Sequence, residues 1–148
     1  MSTATMTQNR DVPRTTTELR IDSERLMSRL SALAEIGPID GGGSCRLALT
    51  DDDKAGRDRV AGWMRAQGLE VSVDRIGNVF GLRAGTEPLP PVMTSSHIDT
   101  VRTGGRYDGN LGVLAGLEVM ATLVAAGVKT RRPLVAAFFP DQKGARFP

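Results

Sequence analysis

Histidine and cysteine are almost absent from this sequence of 148 residues, in which His97 and Cys45 are the single representatives of their types. One cysteine cannot form a disulfide within the chain, so the composition excludes a disulfide-stabilised secreted domain. Zinc fingers and iron–sulfur centres need several cysteine or histidine ligands and are excluded as well. Any chemistry that requires an imidazole must use His97 or a residue of another chain.

Aromatic residues are also scarce, at 4%, and the formal net charge is only +2. The excess of basic residues over residues 101–148 is scattered and has no regular interleaving with aromatic residues, so the composition predicts no nucleic-acid binding. The hydrophobic and charged fractions, 40% and 24%, are ordinary for a globular domain.

A long uninterrupted apolar run is missing too. The longest apolar stretch, residues 111–128, contains Glu118 and several glycines, which predicts a buried helix rather than a membrane span. The first 20 residues are rich in Thr and Arg and lack the apolar segment of a secretory signal. An organellar transit peptide is an alternative, but we expect a disordered tail over residues 1–20, one domain over residues 21–148 and a cytoplasmic protein.

Three helices are predicted from apolar spacing and capping residues. The first follows Asp22 or Ser23 and ends at Gly37, the second starts at Thr50 and ends at Gly68, and the third covers residues 110–126. The three aspartates after Thr50 resemble a metal cluster, but at a helix N-terminus stabilisation of the helix is the favoured interpretation. The glycines at 41–43 fit a mobile flap and a plain linker equally well.

Four strands are predicted, and the last two frame the third helix. Residues 69–74 and 78–82 should form a hairpin or neighbouring strands. Residues 91–97 should form a short, mostly buried strand, and residues 134–139 a final apolar strand. The succession of strand, loop, helix and strand is typical of a parallel βαβ unit and predicts an α/β fold.

The residues with catalytic potential follow the third predicted strand. His97 lies at its carboxyl end, where α/β sheets place their sites. Asp99, two residues on, should point to the same side and accept the second imidazole N–H, which strengthens the other nitrogen as a metal ligand. Asp108 lies in a glycine-flanked loop that can fold back to His97 and hold a carboxylate between two metals.

Spacing alone leaves a structural role for His97 open, because a lone histidine at a strand end is more often structural. A serine hydrolase is disfavoured. Ser96 adjoins His97 and would point to the opposite face, and no nucleophile elbow surrounds Ser95.

Longer motifs carry a resemblance to a known family. The segments 94–101, 104–109 and 111–115 resemble the zinc-dependent amidase, hydantoinase and carbamoylase family, which includes N-carbamoyl-L-amino acid hydrolases and allantoate amidohydrolases. Segments 41–50 and 74–81 fit the same family, so the resemblance covers roughly residues 21–147. It implies the N-terminal portion of an aminopeptidase-like catalytic domain, with a mixed, mainly parallel sheet flanked by helices and without the family's lid and dimerisation domain.

The resemblance also implies roles for individual residues. His97 would bind one metal, Asp108 would bridge two metals, and Asp99 would orient His97. The family then has a Glu-Glu pair, the first as general base and the second as metal ligand. In this chain Gln142 and Lys143 stand at these two positions.

Gln142 and Lys143 are both incompatible with the hydrolytic mechanism that the family resemblance implies. In the family, divalent metals (Zn²⁺, or Mn²⁺, Co²⁺ or Ni²⁺) and a glutamate would generate the hydroxide that attacks an N-carbamoyl amino acid or ureido compound. Gln142 cannot accept a proton from water, and Lys143 places a cation where a carboxylate should neutralise a metal. We therefore expect a fragment that is inactive by itself and binds metal poorly. A binding or oligomerisation module and one half of a split enzyme are the alternatives; the family's homodimer would lack its dimerisation domain here.

Overall fold

A four-stranded mixed sheet and three helices form the fold in the computed structural model, which describes residues 18–147. The strands are ordered β1-β2-β4-β3 across the sheet. Along the chain the elements are α1 (Ser23–Ala34), α2 (Asp51–Ala66), β1 (Glu70–Val73), β2 (Val79–Arg83), β3 (Val92–Ser96), α3 (Asn110–Ala125) and β4 (Leu134–Phe138). The predicted tail, residues 1–20, lies almost wholly outside the described residues.

The first two helices begin at the predicted capping residues. The Asp22 carboxylate accepts a hydrogen bond from the Arg25 amide, 2.9 Å away, and caps α1. The Thr50 hydroxyl accepts from the Asp53 amide at 3.3 Å and caps α2. Asp53 in turn accepts from the Leu49 amide at 2.9 Å, so the aspartates after Thr50 belong to the helix start.

The strand pairings confirm the βαβ unit and the mixed sheet. β3 and β4 are parallel and are joined by α3, whereas β1–β2 and β2–β4 are antiparallel. Only one of the three pairings is therefore parallel, and the expectation of a mainly parallel sheet is wrong for these residues. The short turn after β1 makes a hairpin, and a hairpin is always antiparallel.

Helices α2 and α3 pack on one side of the sheet, and α1 packs against α3. Gly81, Ala136 and Thr94 are neighbours in register and share one face. On that face a Cβ at Gly81 would meet Met64 of α2, and a Cβ at Gly116 of α3 would meet Thr94. The core between helices and sheet consists of aliphatic, methionine and phenylalanine side chains, chiefly Leu26, Leu30, Leu33, Val60, Met64, Val113, Leu114, Leu117 and Phe138.

The edge strands of the sheet are β1 and β3, and one expectation about strand burial is wrong. β4 lies between β2 and β3 and is mostly buried. β3 was expected to be mostly buried, but Val92 and Met93 are 54% and 48% exposed because no described strand pairs with its outer edge. None of the helices within residues 18–147 combines the length and the apolar character that a membrane span requires.

Candidate functional site

The predicted site residues meet at one end of the sheet. His97 follows β3, and Gln142 and Lys143 follow β4. Because β3 and β4 are parallel, their carboxyl ends lie side by side, and the Phe139 amide donates to the Ser96 carbonyl at 3.1 Å. The parallel pairing thus brings together two segments that are more than 40 residues apart in the sequence.

The His97 ring is oriented by a main-chain oxygen. Its Nδ1 lies 2.8 Å from the carbonyl oxygen of Asp99, and the residue is buried. A carbonyl can only accept, so Nδ1 carries the proton. In the neutral ring Nε2 then has a free lone pair, and this atom lies 3.9 Å from Oδ1 of Asp108.

Asp99 supports His97 with a different atom from the one expected. Its carboxylate Oδ1 is 3.8 Å from Nδ1, beyond a hydrogen bond, and the carbonyl of the same residue is the acceptor. The side chain is 1% exposed, and neither oxygen has a hydrogen-bond partner of good geometry in the described part of the chain. Burial raises the pKa of Asp99, and the neighbouring His97 opposes this effect.

Asp108 folds back to His97 as predicted, and there it meets a cation from the turn that follows β4. The Lys143 ammonium lies 2.8 Å from Oδ2 of Asp108. The two side chains are 33% and 47% exposed, respectively. The hydrogen bond from Lys143 lowers the pKa of Asp108, so the carboxylate is held in its charged form. Gln142, the other altered position, is exposed.

Arg46 holds the scaffold of the site, and the sequence-based search for catalytic residues missed it. Its guanidinium is fully buried and donates to the carbonyls of Leu33, Ile36 and Ile98 and to Oδ1 of Asn110, at 3.0–3.2 Å. Burial lowers its pKa. These bonds join α1, the segment after β3 and the start of α3. A charged residue within the otherwise apolar stretch 45–49 was the signal that could have revealed it.

Gly109 allows the loop to approach the imidazole closely. It has a φ of +72°, and a Cβ at this position would lie 2.4 Å from Cε1 of His97. The residue precedes α3 and follows Asp108, so its lack of a side chain lets the carboxylate and the imidazole face each other.

The residues present do not fit a metal pair of the kind that the family resemblance implies. His97 Nε2 and Asp108 Oδ1 could share one ion, since metal–ligand distances of about 2.0–2.2 Å span such a gap. However, the other oxygen of Asp108 is bound to the Lys143 ammonium. Among residues 18–147, no group of three or more His, Cys, Asp or Glu side chains is arranged to hold an ion.

Comparison with known proteins agrees with the family resemblance. The chain is 43% identical over 129 residues to an N-carbamoyl-L-amino-acid amidohydrolase of Rhizobium meliloti and 44% identical over 128 residues to one of Geobacillus stearothermophilus. Each match covers 86% of this chain and 31% of the relative. A ureidoglycolate hydrolase of Arabidopsis thaliana is 35% identical, with 87% of this chain and 27% of the relative covered. No family model matches.

Solved structures confirm the fold. A hydantoinase/carbamoylase family amidase from Burkholderia ambifaria superimposes with a TM-score of 0.86 at 50% identity, covering 88% of this chain and 32% of that one. A tripeptidase from Staphylococcus aureus, 16% identical, shares the fold alone, with a TM-score of 0.67. The chain spans about a third of the length of the relatives it matches, and it corresponds to their N-terminal part.

Proposed function

We propose that this chain, which matches the N-terminal part of hydantoinase/carbamoylase family amidases, is an inactive derivative of an N-carbamoyl-L-amino-acid amidohydrolase. In this proposal the family reaction is hydrolysis of a C–N bond in a linear amide or ureido compound. The substrates and the divalent metals belong to a complete family enzyme, and this chain by itself does not turn over substrate.

The observation that carries the proposal is the ion pair between Lys143 and Asp108. At 2.8 Å the ammonium neutralises the carboxylate that would otherwise face a metal. The neighbouring Gln142 offers a neutral amide, which cannot take a proton from water. Two requirements of the reaction, an open metal position and a general base, are therefore unmet by the residues present.

A hydrolase assay tests the proposal. The chain is incubated with an N-carbamoyl-L-amino acid in the presence of Zn²⁺, Mn²⁺ or Co²⁺, and release of the free amino acid is measured. We expect the rate to equal that of a His97→Ala control. A rate above this control would contradict the proposal.

A second candidate is one half of a split enzyme, and the free edge of β3 is the observation that favours it. Val92, Met93 and Val119 are about half exposed beside an uncharged groove of about 440 Å³ between β3 and α3. Such a face can accept the remaining part of a catalytic domain. In the longer relatives the rest of the catalytic domain would belong to the same chain, whereas in a split enzyme a second chain would supply it.

Co-expression separates the two candidates. The partner is the portion of the Geobacillus relative that this chain does not span. A split enzyme would be active with the unmodified chain, whereas the inactive derivative would need Gln142→Glu and Lys143→Glu together before any activity returned.

A further inference from the structure

We infer that the Lys143 ammonium is the resident cation of this site, occupying the position beside Asp108 that a divalent metal would take, and that it excludes such a metal. The inference rests on the proposed function and goes beyond loss of activity. It assigns a cation-binding property to the site itself. In the unmodified chain the cation is the Lys143 ammonium, and a divalent ion binds only when that ammonium is removed.

The first support is the way Asp108 is shared. Oδ2 is 2.8 Å from the Lys143 ammonium, and Oδ1 is 3.9 Å from Nε2 of His97. Since Nδ1 of His97 donates to a carbonyl, Nε2 presents a lone pair towards the same carboxylate. A ligand nitrogen and a ligand oxygen are thus in place for an ion, and the lysine already places one positive charge beside the carboxylate.

The second support is that Lys143 comes from an anchored segment. The Gly144 amide donates to the Asp141 carbonyl at 2.9 Å and closes a turn around Lys143. Farther along, the Arg146 guanidinium donates to the Ala48 carbonyl at 2.7 Å. The turn therefore delivers the ammonium to the site from a fixed backbone, which lowers the entropy cost of the ion pair.

The third support is electrostatic. A divalent ion bound between His97 and Asp108 would lie within a few ångströms of the ammonium, and like charges at this range repel strongly where the surroundings are partly buried. Removing the positive charge should open the position, and replacing it by a carboxylate should add a third ligand.

Isothermal titration calorimetry of the purified variants with Zn²⁺ tests the inference. The unmodified chain should show no saturable binding of Zn²⁺ that depends on His97. Lys143→Glu should bind Zn²⁺ with an apparent affinity at least roughly tenfold higher, the scale on which ligand-shell changes act. Lys143→Met, which removes the charge without adding a ligand, should give a smaller gain.

Two further variants are controls, one for the change in net charge and one for the dependence on His97. Lys129→Glu makes the same charge change at an exposed position remote from the site and should leave zinc binding unchanged. His97→Ala combined with Lys143→Glu should abolish the gained affinity. Circular dichroism establishes that each variant is folded, and Lys143→Met provides the test if Lys143→Glu does not fold.

Three results would overturn the inference: His97-dependent zinc binding by the unmodified chain, no gain in either Lys143 variant, or a gain that survives His97→Ala. These results are distinct from failure of the proposed function, which is measured by turnover. An unmodified chain that binds no zinc and yet hydrolyses substrate would refute the proposed function and leave the resident cation intact.

Discussion

Gly109 sets how closely the Asp108 loop can approach the imidazole of His97. We predict that Gly109→Ala lowers the free energy of unfolding by about 2–5 kcal/mol, since it combines a left-handed backbone with overpacking. The added Cβ would meet the His97 ring at 2.4 Å, and φ is +72°. Denaturant unfolding monitored by circular dichroism measures the change.

Gly127→Ala is the matched control for this substitution. Gly127 has a similar φ of +68°, but a Cβ there would meet nothing within 4 Å. Its replacement should cost only the backbone part, about 1–2 kcal/mol. Equal losses of unfolding free energy at the two glycines would show that the contact with His97 does not contribute to the cost of Gly109→Ala.

Arg46 offers a second prediction at the scale of single residues. Arg46→Lys should destabilise the fold by roughly 2–4 kcal/mol, because an ammonium cannot reproduce the planar fork and leaves buried carbonyls without donors. The exposed Arg59 on α2 is the control, and Arg59→Lys should be neutral. Thermal and denaturant unfolding measure the stability of both variants. Equal losses of stability would show that burial of the Arg46 guanidinium does not contribute.

How far the site could be predicted from sequence depends on the residue. His97 and Asp108 were found because strand ends and glycine-flanked loops have a definite place in α/β folds. The carbonyl that orients His97 was missed, since a main-chain acceptor leaves no trace in residue type. Arg46 was missed because its four acceptors come from three separate segments, which only the folded chain brings together.

Among the helices, α1 and α3 are joined by a buried carboxylate. Glu118 of α3 is fully buried and accepts hydrogen bonds from the Arg25 guanidinium at 2.6 and 2.9 Å and from the Asp22 amide at 3.0 Å. Burial alone would raise the pKa of Glu118, but the bonds from Arg25 and Asp22 outweigh it, so the pKa lies below its ordinary value of 4.5.

This lowered pKa gives a prediction on acid stability. Glu118→Gln should lower the free energy of unfolding by about 2–3 kcal/mol near neutral pH, where hydrogen bonds to a charged group are lost. A depressed pKa stabilises the fold above the unfolded-state value, and the gain disappears as pH falls through the folded-state value. The difference between the two proteins should therefore shrink below about pH 4.5.

Unfolding curves of both proteins across this pH range provide the measurement. Glu24→Gln, at an exposed position on α1, is the control and should shift stability little at any pH. A Glu118→Gln deficit that stayed constant down to pH 3 would contradict the role of the ionised carboxylate.

At the scale of secondary-structure elements, the positions of the helices were more predictable from sequence than the strand order of the sheet. Caps at Asp22 and Thr50 and apolar spacing fix helix positions locally. The βαβ unit was also predictable from the order of its elements. Strand neighbours are not a local property, so the insertion of β4 between β2 and β3, and with it the exposure of β3, could not be derived from the pattern.

For the whole molecule, the uncharged edge of β3 predicts self-association. Met93→Lys should slow aggregation on heating, because a charge on an edge strand opposes edge-to-edge pairing, while the free energy of unfolding should change by less than about 0.5 kcal/mol. Light scattering during a thermal ramp measures aggregation. Ile76→Lys, at a position 73% exposed in the turn after β1, is the control, and an equal slowing there would point to net charge rather than the edge.

A crystal structure obtained with excess Zn²⁺ tests most directly whether the cation beside Asp108 is the Lys143 ammonium. Data collected at the zinc absorption edge would locate any bound ion. We predict no anomalous peak between His97 and Asp108, and a Lys143 ammonium within hydrogen-bonding distance of the carboxylate. A zinc ion coordinated by His97 and Asp108, with the Lys143 side chain displaced, would contradict the account.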